Sequence, residues 1–133
     1  HGVKLYGNVI IANPKLIQEN PAAVKAFLSA FTKGAKEVMA NPTAAIQTVK
    51  ARDGIINVPL ETRRLQLVIE SVVASPDARR EGFGQVDMAR LTQMASEVSQ
   101  AYATKTPVNA TALWNGSMLP SKAELDILPK AKK

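Results

Sequence analysis

Proton transfer, nucleophilic attack and metal coordination draw on a few side-chain types, and this sequence is short of most of them. Its one histidine is His1 and it contains no cysteine. A thiolate site, an imidazole-based triad and a His/Cys metal site each need those groups fixed by neighbouring structure, so none of them is expected. Ser71, Ser75, Ser96 and Ser99 have no histidine or convincing lysine partner in a nucleophile–base pattern. Glu61, Glu70, Glu81, Asp87 and Glu97 fall on solvent-facing helix positions or caps rather than in a pair held at the separation that acid–base work requires. Gly82-Phe83-Gly84 stands before a helix start at Asp87, as a phosphate loop would. It follows no strand and lacks both the third glycine and the Lys-Ser/Thr of the known fingerprints, so it reads as a plain turn. No catalytic residue, metal or cofactor is expected, and the chain reads as no enzyme.

One polar constellation remains, in "KLYGNVIIANP", Lys4 to Pro14. Residues 5–12 are short, uncharged and β-branched and end at a helix signal, which predicts a buried strand. Alternate residues of a strand share a face, so Tyr6, Asn8 and Ile10 point one way while Leu5, Gly7, Val9 and Ile11 point the other. An aromatic ring, an amide and a bare glycine backbone side by side suit a ligand wall. Tyr6 would pack its ring, Gly7 would donate its backbone amide, and Asn8 would donate and accept. The same pattern also serves a purely structural strand, in which Tyr6 packs and Asn8 ends a pairing.

The elements that would position this segment are helices. Asn13-Pro14, Asn20-Pro21 and Asn41-Pro42 repeat one start signal, because an Asn side chain accepts an orphan amide and Pro at the next position is pre-set for helix. They predict a brief turn over residues 15–19, a long helix from Pro21 to about Ala40 and a shorter one from Pro42 to about Arg52. The long helix carries Val24, Phe27, Leu28, Phe31, Ala35 and Val38 as one apolar stripe, with Gly34 allowing a close neighbour. Lys50, Arg52 and Gly54 match a basic last turn and a glycine stop. A further helix opens at Pro59 or Leu60, buries Leu65, Val68, Ile69, Val72 and Val73, and closes at Ser75-Pro76. Residues 77–85 read as a loop. Asp87 then caps a helix with Met88, Leu91, Met94, Ala95, Val98 and Tyr102 on one face and Val86 stapled to Leu91. Methionines 39, 88 and 94 read as gap-filling core. Residues 104–133 read as an irregular segment with a basic tail, following a helical region over 14–103. The Asn-Pro pairs recur at unequal intervals, so no tandem repeat is present.

At 133 residues the chain fits one domain or a piece of one. Its net charge of +6 is scattered, with local concentrations at Arg63-Arg64, Arg79-Arg80 and Lys130, Lys132, Lys133. Nucleic-acid binders gather charge on one face and interleave aromatics with it, so no nucleic-acid partner is expected. No apolar run reaches the roughly 18 residues of a membrane helix, and the first residues lack the pattern of a signal peptide, so the chain as given is expected to be soluble.

The stretch "YGNVIIANPKLIQENPAAVKAFLSAFTKGAKEVMANPTAAI" resembles the C-terminal part of the solute-binding proteins of ABC importers, in the NMT1/THI5-like group that covers nitrate, taurine, sulfonate and thiamine-precursor binders. The group's order is a strand, a "K-L-I-x-E-N-P" turn, a long helix with "K-G", then "A-N-P-x-x-A". Lys15, Leu16, Ile17, Glu19, Asn20, Pro21, Val24, Phe27, Lys33, Gly34, Ala40, Asn41, Pro42 and Ala45 follow it. "GFGQVD" and "ALWNGSMLP" resemble the group's usual ending.

The resemblance implies a two-lobed α/β type II periplasmic binding protein, in which a strand like residues 5–12 crosses back into the first lobe. This chain is then expected to be a mainly α C-terminal fragment with one short N-terminal β-strand, a single piece over residues 1–133, without the rest of the lobes and the export signal. The implied function is capture of a small solute such as a sulfonate, nitrate, pyrimidine or aromatic acid in the periplasm and its delivery to a membrane permease. Tyr6, Gly7 and Asn8 are the expected ligand contacts. The apolar stripes, without a sheet beneath them, would pair with each other or with a second copy as a homodimer. Two rivals stand beside this: a freestanding helical interaction module, and a thiamine-pyrimidine synthesis enzyme of the same group, whose histidine and cysteine features this stretch does not contain.

Overall fold

The computed structural model describes residues 5–129, and the basic tail Lys130, Lys132 and Lys133, together with His1, lies outside them. The fold is mainly α. In chain order the helices are α1 (Pro14–Glu19), α2 (Pro21–Ala40), α3 (Pro42–Arg52), α4 (Val58–Val68), which runs on as a π-helical turn over Ile69–Val73, α5 (Pro76–Glu81), α6 (Met88–Ala101), α7 (Ala110–Leu113) and α8 (Lys122–Leu125), with a 3-10 turn at Gly116–Met118. Residues 1–24 with 85–118 form one compact unit, and 25–84 with 119–133 form another.

The asparagine caps act as their chemistry dictates. Asn13 Oδ1 accepts the Lys15 amide at 2.9 Å, Asn20 Oδ1 that of Ala23 at 3.1 Å and Asn41 Oδ1 that of Ala44 at 3.0 Å. Each satisfies one of the donors that a helix start leaves without a partner. Asn57 does the same for Leu60 at 3.1 Å, so α4 begins at Val58, ahead of the expected Pro59 or Leu60.

The expected strand over 5–12 is absent: among the described residues there is no strand, and this segment is extended chain without a ladder. A strand exists only through a partner, and here the first backbone groups go elsewhere, the Tyr6 amide to Met94 Sδ and the Leu5 carbonyl to Arg90. Residues 77–85 are a loop only in their second half, because Ser75-Pro76 opens α5 where it was expected to close a helix. Ser75 Oγ accepts the Ala78 amide at 3.3 Å, and Pro76 sits in the first turn. Residues 104–129 also carry more order than expected, with α7 capped by Asn109 and α8 closed by a capping box of Ser121 and Glu124.

Two glycines differ from their expected use. Nothing lies within 4 Å of a Cβ placed at Gly34, so no neighbour approaches closely there. Gly54 does not stop α3 in a left-handed turn. Asp53 caps it with extended backbone, and the Lys50 ammonium donates to the carbonyls of Gly54 and Ile56.

In the unit of residues 25–84 and 119–133, the buried side chains are Thr32, Met39, Ile46, Leu125 and Ile127. Thr32 satisfies its hydroxyl by donating to the Leu28 carbonyl at 2.8 Å. The apolar face of α2 is only partly hidden: Phe27 is 57% exposed and Phe31 48%. Their rings stack at 6.4 Å between centroids, and Phe31 stacks on Phe83 at 6.3 Å. In the π turn the Ala74 amide reaches back five residues to the Ile69 carbonyl at 2.8 Å. Leu65, Ile69 and Val73 are half-buried, whereas Val68 and Val72, expected on the same face, are exposed. Gly82 (φ 104°) and Gly84 (φ 78°) form the turn expected of "GFG", and the Phe83 amide donates to the Leu125 carbonyl at 2.9 Å.

Candidate functional site

The segment that holds Tyr6, Gly7 and Asn8 belongs to the unit of residues 1–24 and 85–118, whose buried cluster is Leu91, Ala95 and Ala110. α6 supplies two of the three because Leu91 and Ala95 lie four residues apart on one helical face. Tyr6, Val86, Met94 and Trp114 pack against them. Val86 precedes the cap and Leu91 is the fourth residue of the helix, so the expected hydrophobic staple forms.

Asp87 caps α6 by accepting the amides of Ala89 at 2.8 Å and Arg90 at 3.1 Å. Its own amide donates to Tyr6 Oη at 2.9 Å. The Arg90 guanidinium lies over the Tyr6 ring, 4.2 Å from its centroid, and its Nη2 donates to the Leu5 carbonyl at 2.8 Å. The Tyr6 amide donates to Met94 Sδ at 3.2 Å. Tyr6 is therefore fixed at its hydroxyl by the α6 cap, and at its ring face and its backbone by the first half of α6. A phenol oxygen that accepts one hydrogen bond still has its own O–H to donate, so the fixed ring presents one oriented donor.

Gly7 and Asn8 are exposed, next to this anchor and outside its contacts. A Cβ placed at Gly7 would meet nothing within 4 Å, and its φ is outside the left-handed region, so local sterics do not require a glycine there. The structure thus joins Tyr6 to α6 and leaves the other two expected contacts on an open, extended segment with Val9, Ile10 and Ile11, which are 67%, 47% and 89% exposed. Arg90 was not among the residues singled out from sequence. Its partner carbonyl is 85 residues away in the chain, and the sole local hint was its place three residues after the Asp87 cap.

Elsewhere the chemistry is sparse. Among the described residues no cluster of three or more His, Cys, Asp or Glu side chains could hold a metal, and no helix is long and apolar enough to cross a membrane. In the unit of residues 25–84 and 119–133, two shallow hollows of about 430 and 410 Å³ share Leu128 and Pro129. Lys36 and Asp126 are the charged groups of the first, Glu70 and Arg79 those of the second. Glu124 is held below the ordinary glutamate range, first by the Ser121 hydroxyl and then by the Ser121 amide, with smaller help from Ser29 and Lys33. Arg80 is held above the ordinary arginine value by hydrogen bonds to Glu81 and Asp77, and both pairs are exposed.

Residues 1–45 match the family model described as NMT1/THI5 like. This is the same stretch whose Asn-Pro starts, long helix and "A-N-P" step carried the resemblance in sequence, and it includes Tyr6, Gly7 and Asn8. No curated protein and no solved structure matches the chain.

Proposed function

We propose that this chain supplies the C-terminal helical portion of the solute-binding component of an ABC importer, working outside the cytoplasmic membrane. It binds a small solute without chemical change and passes it to a membrane permease. The observation that carries this reading is the NMT1/THI5-like match over residues 1–45, which covers α1, α2 and the first turn of α3 as well as the Tyr6 segment. In this reading Tyr6, held against α6, presents its O–H to the solute, while Asn8 and the Gly7 amide add hydrogen bonds from the exposed chain beside it. The apolar side chains that α2 and the π turn leave exposed, Phe27, Phe31 and Val72 among them, are surface for the remainder of such a component to cover.

The test is a thermal-shift screen of the protein expressed from its whole reading frame, against a sulfonate, nitrate, a pyrimidine and an aromatic acid. A solute at 100 times its dissociation constant adds about 2.7 kcal/mol of stability, which displaces the melting transition clearly. One class is expected to do so, to be recovered unchanged, and to lose its effect in Asn8→Ala. No shift with any class, or conversion of the bound compound, would reject the reading.

A further inference from the structure

Two asparagines near the end of the unit formed by residues 1–24 and 85–118 share one local geometry and differ in the residue that follows. Asn109 Oδ1 accepts the Thr111 amide at 3.0 Å and the Thr111 hydroxyl at 2.8 Å. Asn115 Oδ1 accepts the Ser117 amide at 3.0 Å and the Ser117 hydroxyl at 2.7 Å. In both, two donors pull electron density from the side-chain carbonyl and stand where negative charge would build on its oxygen if the carbon were attacked. Ala110 follows Asn109 and is 5% exposed, so its amide is both shielded by a Cβ and buried. Gly116 follows Asn115, has no side chain, and is exposed, as Asn115 is.

We propose that Asn115 is a site of spontaneous backbone-assisted deamidation, promoted by Ser117 and read out by Trp114. The Gly116 backbone nitrogen loses its proton and attacks Asn115 Cγ, and the new N–C bond closes a five-membered ring. The former Oδ1 carries the negative charge and is held by the Ser117 amide and hydroxyl. Collapse of this intermediate breaks the Cγ–Nδ2 bond, and the leaving nitrogen takes up protons to depart as ammonia. Water then opens the cyclic imide at one carbonyl or the other, giving aspartate or isoaspartate. The balance is one amide plus water in, one carboxylate plus ammonium out, with no oxidant, metal or enzyme required.

A Cβ built on Gly116 would lie 3.2 Å from the Trp114 indole nitrogen, so the two residues are packed closely. Trp114, the only tryptophan, packs against Leu91, Ala95 and Ala110. An isoaspartate lengthens the backbone between Trp114 and Gly116, and either product adds a carboxylate beside the ring, lowering the formal net charge from +6. Both loosen Trp114 from the cluster, so the conversion is a one-way modification of this unit with an optical signal.

The experiment is incubation of the folded chain at mildly alkaline pH, with peptide mapping by mass spectrometry and Trp114 fluorescence followed over time. Expected are conversion at Asn115 with isoaspartate as a product, a rate that rises with pH because the attacking nitrogen must lose its proton, and an unconverted Asn109. A red shift of Trp114 emission should accompany conversion. Ser117→Ala should slow conversion in the folded chain several-fold and have no effect in denaturant, where the hydrogen bonds are gone. Gly116→Ala is a poorer variant, because the new methyl crowds the indole. Equal conversion at Asn109 and Asn115 would overturn the inference, and so would equal rates in the folded native chain and the folded Ser117→Ala variant.

Discussion

Replacing Tyr6 tests whether the N-terminal segment is anchored by the three contacts that the structure shows. Tyr6→Phe removes the acceptor for the Asp87 amide and keeps the ring. Asp87 is exposed and water can replace that partner, so the cost should sit near the low end for a hydrogen bond, about 0.5 kcal/mol. Tyr6→Ala also removes the ring that lies under the Arg90 guanidinium at 4.2 Å and against the Leu91, Ala95 and Ala110 cluster. An exposed cation–π contact contributes about 0.5 to 1 kcal/mol. Partial burial of an aromatic ring adds on the order of 1 to 2 kcal/mol. The total for Tyr6→Ala is then about 2 to 3 kcal/mol, several times that of Tyr6→Phe. Trp114 packs on the same cluster, so its fluorescence in a urea titration reports this unit directly. Arg90→Met in a double-mutant cycle with Tyr6→Leu should return a coupling of about 0.5 to 1 kcal/mol. A Tyr6→Ala midpoint equal to that of Tyr6→Phe, or a coupling of zero, would mean that the ring and guanidinium do not hold the segment.

Gly82→Ala should be the costlier of the two turn-glycine changes. Its φ of 104° and ψ of 163° lie where L-residues are strained, and its new methyl would meet Leu125 Cβ at 3.1 Å. Gly84 at φ 78° has open space around it. Thermal unfolding should place Gly82→Ala about 1 to 3 kcal/mol below the parent and Gly84→Ala nearer 1, and a reversed order would refute the close approach to Leu125. Asn57→Ala should lower stability by about 1 kcal/mol, measured by circular dichroism in urea, because the Leu60 amide loses its cap; Asn57→Ser should recover most of it. Glu124 has a depressed folded pKa, so its contribution is present above the ordinary glutamate range and is lost as pH falls through the lower, folded value. Acid unfolding of Ser121→Ala should show a flatter dependence in that window, and an unchanged slope would contradict the capping box as its cause.

The sequence by itself determined where most helices begin. A cap is a contact over two or three residues, so Asn13, Asn20, Asn41 and Asp87 act as their local pattern dictates, and α2 and α3 run to the ends that their periodicity predicts. The same locality explains the hydrophobic staple and the "GFG" turn. Ser75-Pro76 was legible in residues and mistaken in direction, since one Ser-Pro step can end a helix or begin the next, and only the hydrogen bond to Ala78 decides. Beyond that, tertiary structure ruled. A strand is defined by its partner, and β-branched residues at 9–11 cannot form one alone when the backbone before them is taken by Met94 and Arg90. Which apolar positions are covered was likewise undetermined, because a helical stripe says which residues align and not what lies opposite them. Phe27, Phe31 and Val72 sit on the stripes the spacing predicts and stay exposed. For Tyr6 the residue type indicated a ring and a hydroxyl. Only the fold, by bringing α6 against it from 81 residues away, gave that ring a guanidinium on its face and that hydroxyl a backbone amide.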